Sequence, residues 1–208
     1  MSLRDITVVE VNTPATTTAG RMLADAGAHV LLVGSEELDT GAGRRSFRQL
    51  IADADVLLEG EPPQRLAELG LDYVDLTRRS PETGEPDDTP GPPAVNEHLI
   101  HVSITPFGRT SRGPMAMASR QQPMTDLTMK ARAGWLGPMG RGPEGTTPTE
   151  LAARMGVMAT LVALIGRGRH GGQFVDVSIL AAANTCAGPS TVDWLATGHN
   201  PIAHHPAD

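Results

Sequence analysis

Apolar residues along the chain fall into short unbroken runs that alternate with stretches of helical spacing. Ile6–Val11 is a β-branched run. Ala15, Ala19, Met22, Leu23 and Ala26 follow at mostly three- and four-residue intervals, Gly27 closes them, and His29–Val33 is apolar again. A second unit has a helix face at Phe47, Leu50 and Ile51, a buried strand over Asp55–Leu58 and a short helix over Gln64–Leu69 stopped by Gly70. Leu99–Ile104 and Phe174–Ile179 are further strands, and Leu180–Ala187 starts a helix. Strands without polar alternation are buried on both faces. Joined by helices through right-handed crossovers, they predict an α/β fold: a mostly parallel sheet with helices on both faces.

Two stretches interrupt this rhythm. Ser80 to Asn96 carries prolines and acids without periodicity and is predicted to be an exposed inserted loop. From Pro106 to Thr147, Gly, Pro, Met and Arg leave little regular pattern. Loops of that length in a compact domain are commonly functional. Leu151 to Ile165 is apolar nearly all round apart from Arg154, which suits a helix buried on most of its surface. The predicted organisation is one domain over 1–190, with 80–96 as a loop and 191–208 as a tail that is partly disordered or binds a partner.

Composition narrows the class. At 208 residues and 39% hydrophobic the chain can bury a real core, and no apolar run approaches the roughly 18 residues a bilayer span needs. Residues 1–10 lack the pattern of a secretory signal and Cys186 is the only cysteine, so the expectation is a cytoplasmic protein without an intrachain disulfide. The net charge of -7 conceals an excess of arginine between residues 101 and 170. Those arginines are scattered and aromatics make up 3%, so nucleic-acid binding is not expected.

The familiar catalytic signatures are missing. No glycine-rich phosphate loop and no G-x-S-x-G elbow occurs, and Cys186 opens a helix in apolar company. His199, His204 and His205 lie in a tail without a frame to fix metal geometry, so no metal is expected. Asp126, ahead of Lys130 and Arg132, reads as a paired carboxylate or as a helix-start acid. Glu150 stands out. Thr147-Pro148-Thr149-Glu150 fits a capping box before the buried helix, and the same placement sets a carboxylate at the positive end of a helix dipole, where it stays ionised and able to act as a nucleophile or acid/base group. Cap and catalyst both fit.

An ordered set of short strings resembles family III CoA-transferases, the CaiB/BaiF family that includes acyl-CoA racemases. They are Leu23-Ala24-Asp25-Ala26-Gly27-Ala28-His29-Val30, Ala52 to Glu59, Leu69-Gly70-Leu71-Asp72-Tyr73, Leu99 to Gly108 with Gly113-Pro114, and Gly171 to Leu180. The resemblance implies a Rossmann-like large domain, an interlocked dimer, and movement of coenzyme A from an acyl-CoA to a carboxylic acid. In that chemistry an aspartate attacks the thioester, and its place falls on Glu150. Thr13, Pro14 and Ala15 occupy the turn that approaches CoA, and Arg109 and Lys130 are candidate cations for it. Basic groups elsewhere in the pattern are gone: Glu68 stands where the family has arginine, and only Gly34 to Ser46 remains of a longer basic segment.

The pattern ends near Pro201, where the family moves into its smaller domain. That implies a truncated large domain working as a homodimer, or as a heteromer with a chain that supplies the carboxy-terminal part. The leading expectation is a CoA-transferase-like subunit using acyl-CoA, a carboxylic acid and no metal. The alternative is a non-catalytic pseudoenzyme that binds or regulates. Racemase chemistry ranks third, because Arg120-Gln121-Gln122 stands where such relatives carry histidine.

Overall fold

The computed structural model describes residues 2–62, 64–81, 83–87, 91–109, 125–135 and 147–198. Five strands, β1 (Thr7–Asn12), β2 (His29–Gly34), β3 (Val56–Glu59), β4 (Ile100–Thr105) and β5 (Gln173–Ser178), form one sheet in the order β2-β1-β3-β4-β5, and every neighbouring pair is parallel. The helices are α1 (Pro14–Asp25), α2 (Gly41–Ala52), α3 (Arg65–Glu68), α4 (Tyr73–Thr77), α5 (Asp126–Arg132), α6 (Pro148–His170) and α7 (Ile179–Thr197).

Alternation along each strand divides two cores. Val8, Leu58, Ile100, Val102 and Ile104 point to one face, where they meet α1 residues Ala19 and Leu23 and α6 residues Ala153 and Val157. Val9, Val11, Leu57 and Leu99 point to the other and meet Phe47 and Ile51 of α2 with Leu66, Leu71 and Leu76. β3 is buried at every residue, which is why Val56–Leu58 reads as a continuous apolar run, whereas β4 is equally buried but alternates with His101, Ser103 and Thr105. Leu50, expected on the buried face of α2, is 36% exposed.

The central helix differs most from its sequence outline. The apolar run predicts Leu151–Ile165; α6 runs from Pro148 to His170, 23 residues or about 34 Å, which is long and apolar enough to span a bilayer but also what a core helix packed on the sheet looks like. The Arg167-Gly168-Arg169-His170 segment continues the helix, and Gly171, with φ 69°, ends it. Gly156 lets α6 lie close to the sheet: a Cβ there would be 3.0 Å from Ile104 Cδ1. Three short helical pieces have no counterpart in the apolar pattern: α4, α5 and a 3-10 turn over Ser35–Asp39. α7 runs on through residue 190 to Thr197.

The 80–96 segment contains no helix or strand among its described residues, but its end is not a free loop. Asn96 Nδ2 donates to the Ile51 and Ala54 carbonyls at 3.0 and 2.7 Å, and the Val95 and Asn96 amides donate to the Leu76 carbonyl. Those bonds fasten the entry to β4 against the end of α2.

Candidate active site

Parallel strands carry their loops and following helix N-termini at the carboxyl edge of the sheet, and ligands bind there where strand order reverses. β1 is followed in sequence by β2 on one side and flanked by β3 on the other, so the reversal lies between the ends of β1 and β3. Thr13 and Gly60 meet at this point. A Cβ on Gly60 would lie 2.4 Å from Thr13 Oγ1 and 3.1 Å from the Ile104 carbonyl, so glycine is what permits the approach. Thr13 is the N-cap of α1 and Pro14 its first residue. The Thr13 amide donates to Thr16 Oγ1 at 3.0 Å, Pro14 has no N–H, and Ala15 is buried. The turn therefore presents little free backbone donor to a ligand.

Glu150 reaches the same edge by another route. The last turn of α6 lies at the amino edge of the sheet, where Arg167 pairs with Asp55 ahead of β3, so the antiparallel helix carries its first turn past the strand ends. Thr147 Oγ1 accepts from the Glu150 amide at 3.1 Å and Glu150 Oε2 accepts from the Thr147 amide at 3.3 Å. The capping box is formed, and the half-buried carboxylate spends one oxygen on it. A second carboxylate joins it: Asp126 Oδ1 accepts from the Thr149 amide at 3.0 Å and from Thr149 Oγ1 at 2.7 Å. Asp126 is thus a helix-start acid of α5 and at the same time a cap of α6. Lys130, four residues on along α5, shares its face and lies 5.9 Å from the ring centre of Trp135. Trp135 is buried and donates to the Ala183 carbonyl at 2.9 Å, which ties α5 to α7. The first turn of α6 therefore brings Asp126 beside Thr149 and Glu150, while the described contact of Lys130 is with Trp135.

Arg109 goes elsewhere. Its amide donates to both oxygens of Asp176 at 2.8 and 3.0 Å, its Nε to Ser103 Oγ at 2.7 Å, and its Nη2 to Glu59 Oε1 at 3.0 Å. Glu59 is wholly buried and also faces His101 Nε2 at 3.3 Å. Burial would push the Glu59 carboxyl up, but the His101 hydrogen bond, the Arg109 charge and Ser103 together hold it below the usual carboxylate range. An ionised Glu59 can only accept, so His101 Nε2 carries the proton toward it. Among the described residues His101 Nδ1 is buried without a partner.

This network of Glu59, His101, Ser103, Arg109 and Asp176 spans the ends of three strands, and only Arg109 was singled out from sequence. The signal was present in Ile-His-Val-Ser-Ile-Thr, whose polar residues at alternate positions mark one face of β4. The histidines at 199, 204 and 205 lie outside the described residues, as does the 120–122 stretch. Two shallow depressions of about 500 and 480 Å³ lie at the amino edge, one around Asp55, Asn96 and Arg167 and the other around Arg79, His170 and Phe174; Glu150 lines neither.

The model of CoA-transferase family III matches residues 35–83 and 91–208. The chain belongs to CoA-transferase family III. It is 35% identical over 153 residues to the succinyl-CoA:(R)-benzylsuccinate CoA-transferase subunit BbsE of Thauera aromatica, covering 70% of this chain and 32% of that protein. The succinyl-CoA:glutarate CoA-transferase of Mus musculus is 29% identical over 160 residues, covering 74% of this chain and 32% of the mouse protein. Among solved structures, a CAIB/BAIF family protein from Brucella suis superposes with a TM-score of 0.75 at 23% identity, covering 96% of this chain and 58% of that one. Rv3272 from M. tuberculosis gives 0.69 at 22%, covering 99% and 59%. The family III member described here thus spans about a third of these curated relatives.

Proposed function

We propose that this family III chain takes part in transferring coenzyme A between an acyl-CoA and a carboxylic acid, with Glu150 as the nucleophile. The observation that supports this is a half-buried carboxylate fixed by its own capping box at the carboxyl edge of a parallel sheet, and the resemblance implies that the family's aspartate falls at this residue. Glu150 attacks the thioester carbonyl, forming a mixed anhydride and releasing CoA thiolate. The thiolate then attacks the glutamyl carbonyl of the anhydride, freeing the donor acid and leaving a glutamyl-CoA thioester. The acceptor carboxylate opens that thioester, and the returning thiolate takes the new acyl group and restores Glu150. Dividing one exchange into covalent steps is the gain.

The BbsE relative is a CoA-transferase subunit, which supports a site shared between this chain and a second copy or a different chain. Thr13, Pro14 and Ala15 face the reversal point where CoA would lie, and Lys130, one turn along α5 from Asp126, is the cation proposed for it. Incubation with succinyl-CoA, followed by hydroxylamine and peptide mass spectrometry, is expected to find a hydroxamate at Glu150 and none in Glu150→Gln. An unlabelled wild type that also exchanges no CoA would overturn the reading.

A pseudoenzyme is favoured by one specific observation: Arg109 is committed to Glu59 and Ser103 and leaves the phosphates of CoA one cation fewer. Calorimetry with free CoA separates the two, since a chain without a cofactor site gives no binding heat.

A further inference from the structure

The described residues between 78 and 87, where the inserted stretch begins, fold back on themselves. Arg79 and Pro86 form an antiparallel bridge, the Ser80 amide donates to the Glu85 carbonyl at 2.8 Å, and the Asp87 amide donates to the Arg78 carbonyl at 2.7 Å. This loop lies against the end of α6. Arg79 Nη2 donates to the His170 carbonyl at 3.3 Å, and a Cβ on Gly171 would lie 3.5 Å from Arg79 Cζ. Between the loop, the helix end and the first residues of β5 lies the depression of about 480 Å³, whose lining includes Arg79, Ser80, Glu85, Arg169, His170 and Phe174. That volume suits a small molecule.

The lining has the chemistry of an anion receptor. Arg79 and Arg169 bring two fixed positive charges, and among the described residues neither has an ion pair. Glu85, exposed at the rim, is the one acid among the described lining residues. Arg79 Nε is buried without an acceptor among those residues, and so is the hydroxyl of Tyr73, a residue 3% exposed. Burial raises the Tyr73 hydroxyl above its ordinary value, and the neighbouring Thr77 and Arg79 offset part of that. Leaving both groups unpartnered is costly, and an oxygen that accepts from them removes the cost. The Phe174 ring, with its centre 5.5 Å from that of Tyr73 and 5.3 Å from that of His101, supplies a flat apolar wall.

We infer that this depression binds a small organic anion, its carboxylate or phosphate group held by Arg79 with Arg169 beside it and its flat apolar body resting on Phe174. A guanidinium presents its donors as a fork that matches the paired oxygens of either head group. The site lies at the opposite edge of the sheet from Glu150, so it neither needs nor supports the transfer chemistry proposed there. It gives the inserted loop a binding task.

Tyr73 is the only tyrosine, so the full chain grown with 3-fluorotyrosine carries a single fluorine resonance next to Arg79. Titration with phenyl phosphate or with benzoate is expected to move that resonance saturably at millimolar concentration or below, and the tighter of the two identifies the head group. Benzamide, which is neutral, and sodium chloride at matched ionic strength are expected to leave it in place. Arg79→Gln should weaken binding about tenfold and Arg169→Gln about threefold, since the first removes a charged hydrogen bond and the second an exposed charge. Arg169 is exposed, so its variant keeps the fold and decides the matter if Arg79→Gln does not fold. The absence of a saturable shift with either anion overturns the proposal. So does an equal response to benzamide or chloride, or an affinity indifferent to the arginine substitutions.

Discussion

Glu59 and Glu10 are both acids sealed within the sheet, and their surroundings drive them in opposite directions. Glu59 is held ionised by His101 and Arg109, so its contribution is fully present above the ordinary carboxylate value and is lost as pH falls below it through the depressed folded value. Glu59→Ala strands the Arg109 guanidinium and is expected to cost about 3–5 kcal/mol in urea unfolding at neutral pH, with a smaller loss in acid. Glu10, 2% exposed on β1, is raised by burial, and a hydrogen bond with Thr16 offsets only part of that. Its Oε1 has no partner among the described residues. A raised acid binds more protons folded than unfolded, so its effect is neutral in acid and becomes destabilising as pH climbs from 4.5 through the folded value. Glu10→Gln should therefore leave stability in acid nearly unchanged and add about 1 kcal/mol at neutral pH, measured by a pH series of urea midpoints. An equal gain at every pH would show that Glu10 does not titrate in this way. Of these residues the sequence marked only Arg109, since an acid within an apolar run does not announce what it faces.

At the scale of elements, the start of α6 combines the proposed nucleophile with several capping bonds. Three side chains serve its free amides and first turn: Thr147, Asp126 and Glu150. Thr147→Ala is expected to cost about 1 kcal/mol by thermal unfolding, and if Glu150 is the nucleophile it should also slow adduct formation by freeing the carboxylate from its fixed position. A loss of stability with an unchanged labelling rate would show that the cap and the reactivity are separate. The capping signature was readable in Thr147-Pro148-Thr149-Glu150 because it is local. The Asp126 contribution was not, because it joins residues 23 positions apart through a helix the pattern did not show. Gly60 is of the same kind: Gly60→Ala is expected to cost about 1–3 kcal/mol in chemical denaturation, since Thr13 Oγ1 and the Ile104 carbonyl already occupy the space a methyl needs.

For the molecule as a whole, protection follows position in the sheet. β3 and β4 are inner strands buried at every residue, whereas β5 is an edge strand buried only at Val177. Native-state hydrogen exchange is expected to be slowest in β3 and β4 and faster in β5; uniform protection across the sheet would contradict it. The apolar runs and the helical spacing between them determined the α/β class, the five strands and the presence of a long apolar helix, because a strand or helix needs an apolar face wherever it packs on a core. Short motifs in order determined the family. Tertiary structure alone decided that the strand order reverses between β1 and β3, that Arg109 turns inward to Glu59, and that Asp126 caps α6. It alone decided also that Met158, Val162 and Ile165 of that helix are exposed. Each of these depends on residues distant in sequence meeting at a given distance and angle, and periodicity along a chain carries no term for that.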